Sequence, residues 1–479
     1  MIADQPLEKR RYRLAQHYLS KLRAAETTYH YGHENCEDAL ALFDQEWPQI
    51  KQWHDWSVAH ADEDDEMAAL CKEFSQVGAE LLVVRLHPEE RLQWLEAGLA
   101  AARSLRDQPA EMVHLYLLAR TLRRTGPFDK ALDAAQQALV MARQLKNRLY
   151  IAKLLNVLGG IFYFQNAYEL AQQNYEQALA LSKELQEKHE IGLSVNGLGT
   201  IAQMQGDFAH AYSFVSEYLE ISEANGQPYN ICMALRNLSM ITMYMGHAQA
   251  ATQYAERCVG LCEVIGFHVC LVGVLVILGD LASAQGNFTE ARDYYLRSLE
   301  ISRQINHPTN EAFVLCQLGR LFRQFGDIPT SLEHLEPALY LSNRLQERWY
   351  TATALVEMVA TFRVGGDIPQ ARLKLLEGLE IACEIDSSAI HLIYLLEAAL
   401  VWPAQGQTVE ASVWMGALKE NFRFLAAESH LDYDNLYHKL ETELGPTQFA
   451  AAIERGKSLD VGSLLQEIWQ ELKSSPNRP

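Results

Sequence analysis

A chain of 479 residues is long for one hydrophobic core unless it is built from units that each pack only on their neighbours. Hydrophobic residues make up 49% and prolines number only 14, which points to folded helical material. The formal charge of −20 disfavours non-specific nucleic-acid binding, which needs a basic stripe, and it disfavours an anionic membrane surface.

Residues 1–60 read as an N-terminal helical segment outside any repeat. Leu7–Ala24 has apolar residues at helical spacing, and Asp38–Val58 carries Phe43, Trp47, Trp53 and Trp56, with Pro48 as an expected kink or break. Met1–Arg11 is polar and no apolar secretory core follows it. The acidic run Asp62–Glu66 reads as a solvated connector. Residues 61–108 form a divergent first helix pair, Glu66–Arg85 and Pro88–Ser104.

Residues 109–425 follow one plan with a period of 40. Gly126, Gly206, Gly246, Gly286, Gly326, Gly366 and Gly406 stand on one ladder, with Asn166 in the vacant slot. Five residues later stand Ala131, Ala171, Ala211, Ala251, Ala291, Ser331, Ala371 and Ala411. Eight before come Leu118, Leu158, Leu198, Leu238, Leu278, Leu318, Met358 and Ala398. A helix of about 16 residues is expected to end at each ladder glycine, which takes a left-handed conformation at little steric cost. An Asp or Asn next to it caps a second helix, as in Gly206-Asp207-Phe208 and Gly286-Asn287-Phe288. The alanines mark where the paired helices cross closely. The longest apolar run, Val269–Gly279, is about half of what spans a bilayer, so that helix is either buried on both sides or exposes an apolar patch. Residues 426–479 read as capping helices: Asp432–Leu444, Pro446–Arg455 and Val461–Leu472, then a frayed tail.

Leu158-Gly159, Phe162, Asn166, Ala171 and Ala178 resemble the signature of the tetratricopeptide repeat, as do Leu278-Gly279, Ala282, Gly286, Ala291 and Ser298. The resemblance covers about 109–420, with a unit longer than the usual 34 residues. It implies an all-α, right-handed superhelical solenoid of about nine helix pairs with helical caps. A second resemblance lies at the ends. Ala411–Glu420, Leu444-Gly445-Pro446, Phe449–Ala452 and Gly456–Leu459, with Arg11–Leu22 and Asp38–Trp56, are similar to the sensor half of bacterial STAND-type signal-transduction ATPases. No phosphate-binding loop accompanies them; Gly456-Lys457-Ser458 lacks the upstream glycine.

No nucleophile elbow, H-E-x-x-H or C-x-x-C occurs, and no carboxylate is isolated enough to suggest acid–base work, so the expectation is a non-enzymatic protein without a cofactor. His30-x-x-His33-x-x-Cys36 is a weak metal candidate: the spacing could present three ligands, but a fourth is not apparent and Tyr29–Gly32 reads as a loop. The cysteines at 36, 71, 232, 258, 262, 270, 316 and 383 are scattered and read as reduced thiols of a cytoplasmic protein. Cys258, Cys262 and Cys270 are explained by packing, since Cys258 sits on a second small-residue ladder.

In the repeat family the first helix of each unit lines the concave groove. The resemblance carries that role onto Arg120, Arg123 and Asn156, then Asn196, Met233 and Arg236. Further along it falls on Met240, Met243, Tyr244, Ile277, Phe313, Arg320 and Arg323. The implied ligand is a protein or peptide, with apolar anchors near Met240 and Ile277. Arg236, Arg320 and Arg323 would hold its carboxylates, and Asn156 and Asn196 its backbone. Alternatively these side chains fill the seam between adjacent first helices, the arginines pairing with neighbouring acids. Signalling or defence is the expected setting, with no nucleic acid, no membrane, and self-association left open. Two further readings are a peptide-responsive transcriptional regulator, for which residues 1–60 show no convincing helix-turn-helix, and a sensor fragment of a larger ATPase.

Overall fold

The computed structural model describes residues 7–30, 36–79, 81–86, 88–125, 128–385, 387–401, 407–420 and 427–474, which form 24 helices and no strand. The first five are α1 (Leu7–His30), α2 (Cys36–Ala59), α3 (Asp65–Gln76), α4 (Leu81–Arg85) and α5 (Pro88–Ser104). Repeats follow as α6 (Gln108–Thr125), α7 (Phe128–Gln144), α8 (Arg148–Phe164), α9 (Tyr168–Leu185), α10 (Lys188–Met204) and α11 (Phe208–Ala224). They continue as α12 (Pro228–Tyr244), α13 (Ala248–Ile265), α14 (His268–Ala284), α15 (Phe288–Gln304), α16 (Pro308–Gln324) and α17 (Ile328–Arg344). The last are α18 (Arg348–Val364), α19 (Ile368–Ala382), α20 (Ser388–Val401), α21 (Thr408–Glu420), α22 (Ala427–Leu444), α23 (Pro446–Lys457) and α24 (Val461–Ser474). Two compact units divide the chain, Met1–Cys270 and Leu271–Pro479. It is an all-α solenoid of tetratricopeptide-like repeats, in which α6 packs on α7, α8 on α9, α10 on α11 and α12 on α13 in the first unit. In the second, α16 packs on α17 and α18 on α19.

The crossing ladder is buried at every rung: Ala131, Ala171, Ala211, Ala251, Ala291, Ser331, Ala371 and Ala411 all have 0% exposure. Ser331 is tolerated because its hydroxyl donates to the carbonyl of Gly319 at 2.7 Å. The glycine of each Leu-Gly pair serves the same crossing from the other side. A Cβ on Gly159 would lie 2.8 Å from the Tyr175 ring, and one on Gly279 would overlap Tyr295. Small residue against large ring sets how closely the two helices approach.

The turns match the expected chemistry. Gly286 has φ +79°, and Asn166 takes the same left-handed conformation at +58°, which an asparagine tolerates better than most residues. Asp207, Asp327 and Asp367 accept the third N–H of the following helix at 3.1–3.2 Å, whereas Asn287 makes no such bond. A second set of left-handed residues recurs halfway between: Arg106, Lys146, Gln186, Gly226, Gly266, Asn306 and Gln346. Four of these seven are neither glycine nor asparagine, so residue type gave little hint of the ladder.

Two expectations need correction, and one pair of alternatives is decided. α2 runs unbroken through Pro48, although an internal proline costs about 3 kcal/mol. Packing on both sides holds it: Phe43 and Ile50 are buried, and Trp47 stacks between Phe43 and Trp94 at 5.0 and 5.5 Å. Glu66–Arg85 is two helices, because Gly78 (φ +80°) turns the chain where a Cβ would lie 2.9 Å from Leu22. The apolar run in α14 is buried from Cys270 to Leu278 apart from the half-buried Gly273, rather than forming an exposed patch. At the C-terminus Gly456 belongs to a helix crossing: α21 and α23 meet at Gly416 and Gly456, and a Cβ on either would overlap the other helix's backbone carbonyls.

Two predictions follow from this packing. Gly456→Ala is expected to cost about 3 kcal/mol through overpacking. Gly260→Ala, at an exposed α13 position with nothing within 4 Å, should stabilise by about 0.5–1 kcal/mol. Urea unfolding of both variants checks the contrast. The second prediction concerns His54, stacked on Trp94 with ring centroids 3.6 Å apart, where burial pushes its imidazole down to about 4 against the opposing effect of Asp55. Between pH 6.5 and 4 the unfolded chain binds more protons at this site, so stability falls as pH falls through that window. His54→Gln should remove up to about 3 kcal/mol of that acid-side loss, measured as the difference in unfolding free energy between pH 7 and pH 4.

Candidate functional site: a cleft on the first helices of the repeats

In the first unit the first helices α6, α8, α10 and α12 border a cleft of about 300 Å³ that α1 and α3 approach from one end. α6 contributes Tyr116 and Arg120, α8 contributes Tyr150 and Lys153, α10 contributes His189 and Glu190, and α12 contributes Tyr229 and Asn230. The rings of Tyr116 and Tyr150 meet edge to face at 5.5 Å, and the Lys153 ammonium lies 5.1 Å from the Tyr150 centroid and 5.9 Å from that of Tyr116. Burial, with the charge of Glu190 adding to it, pushes the Tyr150 hydroxyl up, so it stays a neutral donor at ordinary pH.

Glu190 is the unusual member. It lines the cleft yet is only 2% exposed. One carboxylate oxygen, Oε2, accepts from Asn156 Nδ2 at 3.0 Å; the other, Oε1, has no hydrogen-bond partner, and the nearby His189 Nε2 stands 3.9 Å away. Asn156 itself is 7% exposed and fixed from both ends, its Nδ2 also donating to the Glu190 carbonyl at 3.2 Å and its Oδ1 lying 2.7 Å from the Ser194 hydroxyl. Asn156 therefore positions Glu190 and has no donor left to offer a ligand backbone.

The other expected residues separate into two groups. In the first unit, Arg120 lines the cleft and Arg123 lies against Gly160. Asn196 accepts from Asn237 Nδ2 at 3.1 Å, and Arg236 lies 3.4 Å from Asn237 Oδ1. Met233, Met240 and Met243 are half-buried, while Tyr244 is 53% exposed and stacks on Phe208 at 5.6 Å. In the second unit Ile277 is buried, so it offers no anchor without repacking, and Phe313 is half-buried, edge-on to Tyr350 at 6.2 Å. Arg320 and Arg323 hold carboxylates of their own chain. Arg320 donates to Asp280 at 2.9 Å, an oxygen that Tyr295 also reaches at 2.6 Å, and Arg323 donates to Glu357 at 2.8 Å. Arg363 does likewise with Glu397 and Asp432. The side chains of His30 and Cys36, and the whole of His33, lie outside the described residues.

Sequence reasoning missed Glu190, Tyr116, Tyr150 and Lys153. A usable signal exists. Tyr116 meets Tyr150, Asn156 meets Glu190, Arg323 meets Glu357 and Arg363 meets Glu397, each pair 34 residues apart. A donor on one first helix thus finds its acid six residues short of a full period.

The family model of the tetratricopeptide repeat matches residues 92–184 and 271–342, and the chain carries such repeats. No curated protein sequence matches it. Among solved structures it is similar to a Rap protein complexed with competence and sporulation factor, at 12% identity and TM-score 0.52, covering 79% of this chain and 100% of that one. It is also similar to the apo form of the quorum sensor NprR from B. thuringiensis, at 16% identity and TM-score 0.50, covering 76% and 96%. At these identities the likeness is one of fold. None of the described helices is long and apolar enough to cross a membrane.

If Arg320 is committed to Asp280, its reversal is a stability mutation. Arg320→Glu should lower unfolding free energy by about 3 kcal/mol, because it leaves Asp280 facing a like charge in a mostly buried seam. Chemical denaturation checks this, and a change below about 0.5 kcal/mol would show that the pair carries no weight.

Proposed function

We propose that the chain is a non-enzymatic scaffold or sensor that holds a peptide or protein segment in the cleft of its first unit, in bacterial signalling or defence. The observation that carries this reading is the Glu190 carboxylate, buried with one oxygen unsatisfied on the wall of an open cleft. A buried acceptor without a donor costs about 1–3 kcal/mol, more when charged, and an arriving N–H or ammonium group would remove that cost. Tyr116, Tyr150 and Tyr229 supply apolar area with little rotamer freedom to lose, and Arg120 and Lys153 supply positive charge in the same cleft. A peptide carries both complements, N–H or amine donors and carboxylates.

A volume of about 300 Å³ is at the lower end for ligand sites, so it suits a few side chains or a chain end, with the remainder of the ligand outside. The Rap protein complexed with competence and sporulation factor is an instance of a similar fold with a bound partner. The finer assignment, a sensor related to the STAND-type regulators, rests on the end-segment residues quoted above. Arg120 remains in the proposed site; Asn156 keeps a positioning role; Arg236, Asn196 and the methionines form a flanking surface.

Panning a random peptide library on the full chain tests the reading. Enriched peptides should lose tenfold or more in affinity with Glu190→Gln or Arg120→Ala, measured by calorimetry, and be little affected by Arg292→Ala on the exposed face of α15. No enrichment, or enriched peptides indifferent to both cleft substitutions, would rule it out.

A further inference from the structure

Four of the chain's eight cysteines meet inside the first unit. Cys232 lies on α12, Cys258 and Cys262 stand one turn apart on α13, and Cys270 is in the first turn of α14; all are buried. The Sγ of Cys258 is 3.9 Å from the Sγ of Cys262 and 3.9 Å from that of Cys270. The sulfurs of Cys232, Cys258 and Cys262 all lie within 4.8 Å of one another; Cys270 stands outside this trio and adjoins it through Cys258. In a tetrahedral zinc–thiolate centre with Zn–S bonds of about 2.3 Å, neighbouring sulfurs are about 3.8 Å apart. Two of the separations match that edge before any metal pulls the set together.

Repeat packing explains why the four side chains meet, but not why they are sulfur. The same four places one period earlier hold Gly192, Tyr218, Ser222 and Asn230; two periods later they hold Ala312, Ala338, Ser342 and Tyr350. The crossing is therefore satisfied by glycine, alanine or serine at the small positions. Ser298, one period after Cys258, donates to the carbonyl of Val272 at 3.0 Å, as Cys258 does to that of Cys232 at 3.3 Å. A serine would fill the Cys258 place and make a better hydrogen bond, so the thiol has no advantage in packing alone.

We propose that Cys232, Cys258, Cys262 and Cys270 bind one thiophilic divalent cation, zinc, in a closed tetrathiolate centre that ties α12 and α13 to the start of α14. Binding deprotonates the thiols, the protons passing to solvent, and replaces the Cys258 bond to the Cys232 carbonyl with a metal–sulfur bond. The charge of Arg236, which acts on Cys258 and Cys270, offsets part of the negative charge that four thiolates leave on the centre. This inference is independent of the proposed peptide cleft, which shares none of these four residues.

The full chain, reduced and stripped with a chelator, would be titrated with Co²⁺ and then Zn²⁺. One equivalent of Co²⁺ should give the sulfur-to-metal charge-transfer and ligand-field bands of a tetrahedral thiolate centre, and one equivalent of Zn²⁺ should abolish them and raise the thermal midpoint. The C258S/C262S double variant should lose the bands, and C71S/C316S should keep them. Should the double variant fail to fold, zinc protection of the wild-type thiols from alkylation, read by mass spectrometry, decides the question. Protection at 232, 258, 262 and 270 supports the centre. Absence of thiolate bands, their persistence in the double variant, or protection confined to Cys36 would overturn it.

Discussion

Everything in this chain depends on how closely two helices can cross within one repeat. The constraint is steric before it is hydrophobic. A fully buried alanine ladder brings the second helix against the first, and a glycine on the first receives a tyrosine or leucine from the second. At Gly159 and Tyr175, Gly279 and Tyr295, and Gly319 and Leu335 the same exchange of volume recurs. Where the pattern changes, the compensation is local. Tyr218 occupies a slot that is small in most repeats, and Gly192 supplies the room. The terminal crossing of α21 and α23 drops side chains altogether and meets glycine to glycine. Because each repeat solves the same steric problem, first helices come into register with one another, and that register governs what their polar side chains can do.

The period and the crossing were legible because they are written in residue type: only glycine or asparagine suits the left-handed turn, and only small residues suit the crossing. The second left-handed ladder was not, because Arg106, Lys146, Gln186 and Gln346 take that conformation with side chains that do not favour it. Pro48 misled for a related reason, since local helix propensity lost to the stacking of Trp47 between two aromatic neighbours. Gly456 was visible as a residue without a phosphate loop around it, but its purpose needed the second helix. The inner wall was legible only in part. Arg120 was found, whereas Asn156, Arg320 and Arg323 were read as ligand contacts when their partners lie on adjacent first helices. Asn156 and Arg323 find their partners 34 residues on, an offset that sequence separation hid, whereas Arg320 finds Asp280 one full period back.

That offset also separates two uses of charge along the first helices. In the second unit donors and acids are matched. Asp280 collects Arg320 and Tyr295, Arg323 takes Glu357, and Arg363 takes both Glu397 and Asp432. Such a seam is closed in the electrostatic sense, and a ligand carboxylate would have to displace one already in place. Desolvation of these charges is compensated within the chain.

In the first unit the matching stops short. Asn156 satisfies one oxygen of Glu190 and leaves the other without a hydrogen-bond donor, on a cleft that Tyr116, Tyr150, Arg120 and Lys153 also line. An amide can orient a carboxylate, but it cannot neutralise it, and that is the difference between this seam and the arginine-closed ones. The same register that ties Arg323 to Glu357 thus leaves Glu190 held in place and incompletely satisfied. Under the proposed reading, binding is the completion of a contact that the second unit makes for itself. A ligand would be selected by supplying the positive or N–H group that, elsewhere in the array, the neighbouring repeat provides.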